Sequence, residues 1–350
     1  MIILDGFYGE GGGQILRTAL VLSLLTNQPF RIENIRRGRP NPGLKAQHLH
    51  IINALLQMSD AQVEGLQLGA QTLSFAPAQL HGGVYGQDIG TAGAIPLFLQ
   101  TVLPAALFAD SSTTFTITGG TDVRGAMTID FWLNVLLPFL QPYAQRLELQ
   151  VKQHGFYPAG GGEVKLRVAP RLDQSNWLER RAECPSLTLL ERGALQRVRL
   201  CSVAAQELSE RRVAERQASG FRRVVAFDKP ASKISYVETF SPGSSVTAVA
   251  EYKHTRLGAD ALGEKTKPAE TVGQEAAQRL QAEMQGAGVV DVHTADNLMV
   301  WAALFGGSYT FAQLTGHIET NAWTIEQFLP GALRIEENRV VGWQSRAAVV

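Results

Sequence analysis

The chain has 350 residues and a mass of 38.0 kDa, 45% hydrophobic and 18% charged, which excludes a disordered polymer and suggests about two domains at ~100–200 residues each. Thirty-two Lys plus Arg balance 32 Asp plus Glu, so no global positive field gathers long duplex nucleic acid and any polyanion site must be local. Cys184 and Cys201 lack metal spacing and form no disulfide framework, and the N-terminal sequence has no basic stretch with a long apolar run; a cytoplasmic protein without membrane association is expected.

The first feature in chain order is the loop Gly6-Phe7-Tyr8-Gly9-Glu10-Gly11-Gly12-Gly13. Its glycines let backbone amides approach an anion at the start of a helix, although a tight turn uses the same residues. Glu10 can ligate a divalent cation or simply complement the helix dipole. The apolar face of Gln14–Leu25 predicts that helix, with Arg17 on the same side as the loop, and Phe30–Ile35 alternates as a strand. Next, Arg36-Arg37-Gly38-Arg39-Pro40-Asn41-Pro42-Gly43 delivers guanidiniums before a helix over Leu44–Met58; it reads as a phosphate site or a solvated basic turn. Gln47, one turn into that helix, contacts a substrate or caps the core edge. Strands are predicted near Gln62–Leu66 and Thr72–Phe75.

The first loop returns as Gly155-Phe156-Tyr157-Pro158-Ala159-Gly160-Gly161-Gly162. A second echo pairs Thr91-Ala92 through Phe115-Thr116 with Thr294-Ala295 through Tyr309-Thr310, each reading as helix, turn and strand. Residues 181–275, with both cysteines and two charged runs, do not fit the repeat and read as an inserted small α/β domain. Farther on, His293-Thr294-Ala295-Asp296-Asn297 opens a helix and reads by itself as an N-cap. His317, in Thr315–Asn321, sits between a strand and a helix over Ala322–Phe328. On composition it is structural or catalytic, with no neighbouring Ser, Cys or second His to decide.

Four stretches, DGFYGEGGGQILRTALVLS, IRRGRPNPGLKAQHL, HGFYPAGGGEV and HTADNLMVWAALFGGSYT followed by GHIETN, together resemble the RNA 3′-terminal phosphate cyclase family essentially end to end. The resemblance implies an α/β (α+β) fold: a large domain of three tandem βαβαββ-type repeats over 1–180 and 276–350, with a smaller α/β domain over 181–275 inserted before the third. It implies ATP and a divalent cation, magnesium or manganese, acting on an RNA with a 3′-terminal phosphate, and no obligate protein partner. A histidine–AMP would form, pass AMP to the RNA phosphate, and leave a 2′,3′-cyclic end.

By motif, His317 is the expected nucleophile and Glu10 the metal carboxylate. Arg17, Arg36, Arg39 and Gln47 are expected on reacting phosphates or the RNA end. Gln100, His293, Thr294, Ala295, Asp296 and Asn297 are expected at the nucleotide, with Asp296 also orienting His317. Asn297 stands where Gln is common, and Ala126-Met127 where Ala-Pro is expected. Two other readings share the repeats: a non-catalytic RNA-binding relative of the ribosome-assembly type, against which His317 argues, and an enolpyruvyl-transferase-like enzyme of the same repeat, which would need no adenylation histidine.

Overall fold

The computed structural model describes residues 1–90, 92–225 and 231–343; Thr91 of the helix–strand echo and the last seven residues of the expected catalytic domain lie outside them. The chain is mixed α/β, built on four four-stranded sheets among the described residues.

The first sheet uses β1 (Ile2–Asp5), α1 (Gln14–Thr26), β2 (Phe30–Glu33), α2 (Ala46–Gln57), β3 (Gln62–Glu64) and β4 (Leu73–Ala76), in strand order β1-β2-β4-β3. β1 and β2 are parallel through the α1 crossover, and the other pairs are antiparallel. α1 is buried nearly all round, from Gln14 to Leu25, because α3 and α10 (below) flank it; a helix apolar on every side needs such cover.

The second sheet repeats the plan with β5 (Gly83–Asp88), α3 (Ile95–Leu107), β6 (Thr113–Gly119), α4 (Ile129–Phe131), a π-helical turn Trp132–Leu136, α5 (Leu137–Leu140), β7 (Ala144–Gln153) and β8 (Gly162–Pro170), ordered β5-β6-β8-β7. β6 alternates buried and half-buried residues along its length, as a strand with one core face should.

After α6 (Trp177–Arg180) comes β9 (Leu187–Leu189). The chain then leaves for β10 (Leu195–Ala205), α7 (Val213–Val224), β11 (Ala231–Val237), β12 (Ser244–Tyr252), β13 (Arg256–Leu262) and α8 (Ala269–Gln285). It returns with α9 (Val292–Phe305), β14 (Gly307–Thr310), α10 (Gly316–Phe328), β15 (Leu333–Glu336) and β16 (Arg339–Gly342). The third repeat-like sheet runs β9-β14-β16-β15, with β9 parallel to β14 and the remaining pairs antiparallel. Thus β9, inside the segment read as an insertion, opens this third sheet, and the small sheet β11-β10-β12-β13 departs after that strand rather than before it. α8 also crosses the 275/276 boundary without a break, because its apolar face packs on β12, β13 and α7.

One core runs through the three repeat-like sheets, including Leu20, Phe98, Phe115, Leu166, Trp301 and Phe311. The small sheet has its own, including Leu200, Phe221, Val246, Leu257 and Leu280. The two parts touch where Thr128 Oγ1 meets Thr247 Oγ1 at 2.6 Å and where the Thr128 N–H donates to Asp260 at 2.7 Å. No helix among the described residues is long and apolar enough to cross a membrane.

Candidate active site

The sequence patterns place a glycine loop before α1 and a histidine before α10; folding brings the two helix starts together. α10 begins earlier than its apolar pattern indicates, at Gly316, because the Thr315 hydroxyl accepts from Ile318 N–H as an N-cap. His317 therefore lies in the first turn of a helix, with a side chain 56% exposed.

Both ring nitrogens of His317 are engaged. Nδ1 lies 2.5 Å from Gln14 Oε1, and Nε2 lies 3.1 Å from Glu10 Oε2. The Gln14 amide nitrogen donates to Asp296 Oδ1 at 2.6 Å and to the His317 carbonyl at 3.3 Å. Since a carbonyl only accepts, the amide oxygen must face the ring, so Nδ1 carries a proton. The Glu10 carboxylate at Nε2 also only accepts, so that contact is a hydrogen bond only while Nε2 carries a proton, and the neutral ring has its lone pair on Nε2 once Glu10 turns away. Asp296 thus connects to His317 through Gln14, with no direct hydrogen bond between the two side chains among the described residues. Asn321 Nδ2 donates to Asp296 O at 3.0 Å and Oδ1 at 3.1 Å, while Thr18 Oγ1 donates to Asn321 Oδ1 at 2.8 Å, locking α1, α9 and α10. Burial pushes the Asp296 carboxyl up, opposed by His317, Gln14, Arg17 and Asn321. Burial lowers Arg17 to about 10, opposed by the attraction of Asp296, so it remains a cation near neutrality.

The glycine loop reaches across to the basic loop. The Glu10 carbonyl accepts from Arg39 Nη2 at 3.0 Å, and Glu10 N–H donates to Thr320 Oγ1 at 3.3 Å. Gly9 and Gly11 have φ of +57° and +54°, a region that costs other residues dearly. A Cβ on Gly13 would stand 2.4 Å from His48 Nε2 and 3.1 Å from Arg17 Nη1, and one on Gly12 3.5 Å from Arg39 Nη2. Arg17, Arg39 and His48 therefore converge on the open end of α1. His48 is buried and pushed down to about 3, first by desolvation and then by Arg17, Arg36 and Lys45. Its Nδ1 accepts from Lys45 N–H at 2.9 Å. Arg36 is half-buried with φ +54° and folds back onto the carbonyls of Asn41 and Gly43; burial and Arg39 lower its pKa.

Other expected site residues stand outside this network. Gln47 and Gln100 are half-buried on α2 and α3, and no hydrogen bond among the described residues joins them to His317. His293 is exposed at the start of α9, its ring edge-on to Phe131 at 6.1 Å, and its carbonyl accepts from Asn297 Nδ2 at 2.7 Å. Thr294 is buried as a partner of Asp291, and Ala295 lies in the core, where its carbonyl accepts from Tyr309 Oη at 2.6 Å. The N-cap of α9 is Asp291, two residues before the run read as the cap, and Asp291 also accepts from Gly258 N–H of β13 at 2.9 Å.

Sequence reasoning missed Gln14, His48, Asn321 and Asp291. Two had a signal: Asn321 is four residues beyond His317 on one helix face, and Asp291 stands three before Thr294 in capping register. Glu10 is a single, partly exposed carboxylate, and no three His, Cys, Asp or Glu among the described residues form a cage. That donor set suits a hard cation completed by phosphate oxygens and waters. A cavity of about 840 Å³ lies elsewhere, at the far end of α1 beside Trp177 and Leu329.

Comparison with known proteins gives the family. The family model described as RNA 3′-terminal phosphate cyclase matches residues 8–335. A Pyrococcus furiosus protein named RNA 3′-terminal phosphate cyclase is 42% identical over 94% of this chain and 93% of its own. Proteins of the same name from Archaeoglobus fulgidus and Thermococcus onnurineus are each 41% identical, covering 97% and 100% of this chain and 99% of their own. With its match spanning nearly every element that builds the His317 site, the chain belongs to the RNA 3′-terminal phosphate cyclase family.

Proposed function

We propose that this protein uses ATP to convert an RNA 3′-terminal phosphate into a 2′,3′-cyclic phosphate, with His317 as the nucleophile. The observation that carries this is the Gln14 contact, which holds the Nδ1 proton and so leaves Nε2 to supply the lone pair of the neutral ring, at the cationic end of α1, once Glu10 turns from the ring to a cation. In the first step Nε2 bonds to the α-phosphorus of ATP as the bond to the bridging oxygen breaks and pyrophosphate leaves. AMP then passes to an oxygen of the RNA phosphate and the imidazole is regenerated. Finally the adjacent 2′-hydroxyl attacks that phosphorus, losing its proton to solvent and expelling AMP. Splitting the reaction turns a poor leaving group into a good one.

Arg17 and Arg39 are proposed to clamp the phosphates, with Arg36 adding charge from behind and Gln47 at the RNA end. Glu10 would hold a magnesium or manganese ion, which when bound screens phosphate charge. Gln100, His293, Thr294, Ala295 and Asn297 are proposed to frame the adenine, Thr294 and Ala295 through backbone. All of these residues fall within 1–180 and 276–350, which we propose as the catalytic part with β9 added to it, the small domain taking the rest of 181–275 together with the whole of α8. ATP as co-substrate supports a cytoplasmic location.

The test is incubation with magnesium or manganese and α-phosphate-labelled ATP, without RNA, followed by a denaturing gel. Acid-labile, alkali-stable label is expected on the native chain, none on His317→Ala, and at least tenfold slower labelling on Gln14→Leu, which frees the ring tautomer. No label on the native chain despite bound ATP would instead support the non-catalytic RNA-binding reading.

A further inference from the structure

The Phe7 side chain has no role in the chemistry above, yet it is 51% exposed beside it. Its ring lies across two glycines: a Cβ on Gly38 would stand 2.6 Å from Phe7 Cε2, and one on Gly11 3.5 Å from Cδ2. The ring thus bridges the glycine loop and the basic loop, where Gly38 stands between exposed Arg37 and Arg39 in sequence, and Arg39 itself donates to the Glu10 carbonyl. The repeated loop supplies an internal comparison. There the matching ring, Phe156, is only 3% exposed, closed over by Gly243, whose Cβ would stand 2.2 Å from Phe156 Cγ. The neighbouring Tyr8 is 41% exposed and has one face stacked on Trp323 of α10 at 4.2 Å and 15°. Phe7 is the most exposed of these three rings, and no other ring or guanidinium among the described residues stacks on it, whereas Trp323 already takes one face of Tyr8.

An exposed aromatic ring against a loop that carries arginines has the chemistry that binds single-stranded nucleic acid: cations track the backbone while a ring receives a base. We infer that Phe7 is a stacking platform for the base of the 3′-terminal nucleotide of the RNA, an inference that rests on the function proposed above. The platform lies on the Arg36–Arg39 side of His317. The adenine of ATP is assigned to the opposite, α9 side, so the two bases do not compete. Stacking needs no hydrogen-bond readout, so all four terminal bases bind, purines better than pyrimidines.

The test compares the native enzyme, Phe7→Ala and Phe7→Tyr on a short RNA 3′-phosphate and on the same RNA with an abasic terminal nucleotide. Cyclisation rates are referred to the fraction of each variant that takes label from ATP. With the ordinary RNA, Phe7→Ala is expected to raise KM about tenfold at nearly unchanged kcat, and Phe7→Tyr to restore it. With the abasic RNA, native enzyme and Phe7→Ala are expected to share one KM, the non-additivity of a direct contact. An equal KM increase for Phe7→Ala on both RNAs would overturn the platform, as would an increase in the KM for ATP in place of RNA. Absence of label on the native chain would instead overturn the proposed function, so the two failures are distinct.

Discussion

The Nδ1 proton of His317 faces an amide oxygen, while the Glu10 carboxylate stands at Nε2. Asp296 is half-buried and engaged by Gln14 and Asn321, and Gln14 relays that orientation to Nδ1. The role of Gln14 was hidden in sequence because nothing distinguishes it from any polar residue at a helix start; its partners lie 282 and 303 positions away. His48 makes a pH argument at the same scale. Folding lowers its pKa from 6.5 to about 3, so the unfolded chain takes up the proton first as pH falls. The stability contributed is complete above about pH 6.5 and is lost progressively down to about pH 3, by at most about 5 kcal/mol. Urea denaturation of the native chain and His48→Gln across this range should show a shallower acid decline for the variant. Parallel curves would mean that protonated His48 finds a partner in the fold.

At the scale of elements, α7 and α8 approach backbone to backbone through two glycines. A Cβ on Gly220 would stand 2.0 Å from Glu270 O, and one on Gly273 1.9 Å from Gln217 O. Elsewhere Gly→Ala inside a helix gains about 1 kcal/mol; here a carbonyl occupies the space, and overpacking costs about 1–3 kcal/mol. Gly273→Ala is therefore expected to lower stability despite better helix propensity, measured as a lower urea midpoint by circular dichroism. A raised midpoint would show that the two helices separate freely. Local patterns made α1 and α2 legible to within two residues at each end, because each buries a stripe that repeats at helical period. They misplaced the start of α10 by six residues, since its first turns interleave exposed His317 and Glu319 with Thr320 and Asn321, polar residues buried against Glu10, Thr18 and Asp296 instead of facing solvent.

For the whole molecule, the two cores differ in substance. The small one is rich in alanine, with Ala218, Ala248, Ala250, Ala259, Ala261, Ala276 and Ala277, and buries little apolar area per residue. Of the 5 tryptophans in the chain, Trp132, Trp177, Trp301, Trp323 and Trp343, none lies between β10 and α8. Unfolding followed by circular dichroism is therefore expected to begin at lower urea than unfolding followed by tryptophan fluorescence, which reports the larger core alone. Coincident curves would mean that the Thr128–Thr247 and Asp291–Gly258 contacts fuse both parts into one cooperative unit. The amino-acid sequence by itself determined the repeated loops, the mixed α/β class and the family motifs, because glycine runs, helical stripes and alternation are properties of neighbouring residues. Tertiary structure alone decided that β9 opens the third sheet, that Gln14 rather than Asp296 touches His317, and that Phe7 stays open where Phe156 is covered. Each of those depends on which distant surface arrives against a residue, and no local pattern encodes that.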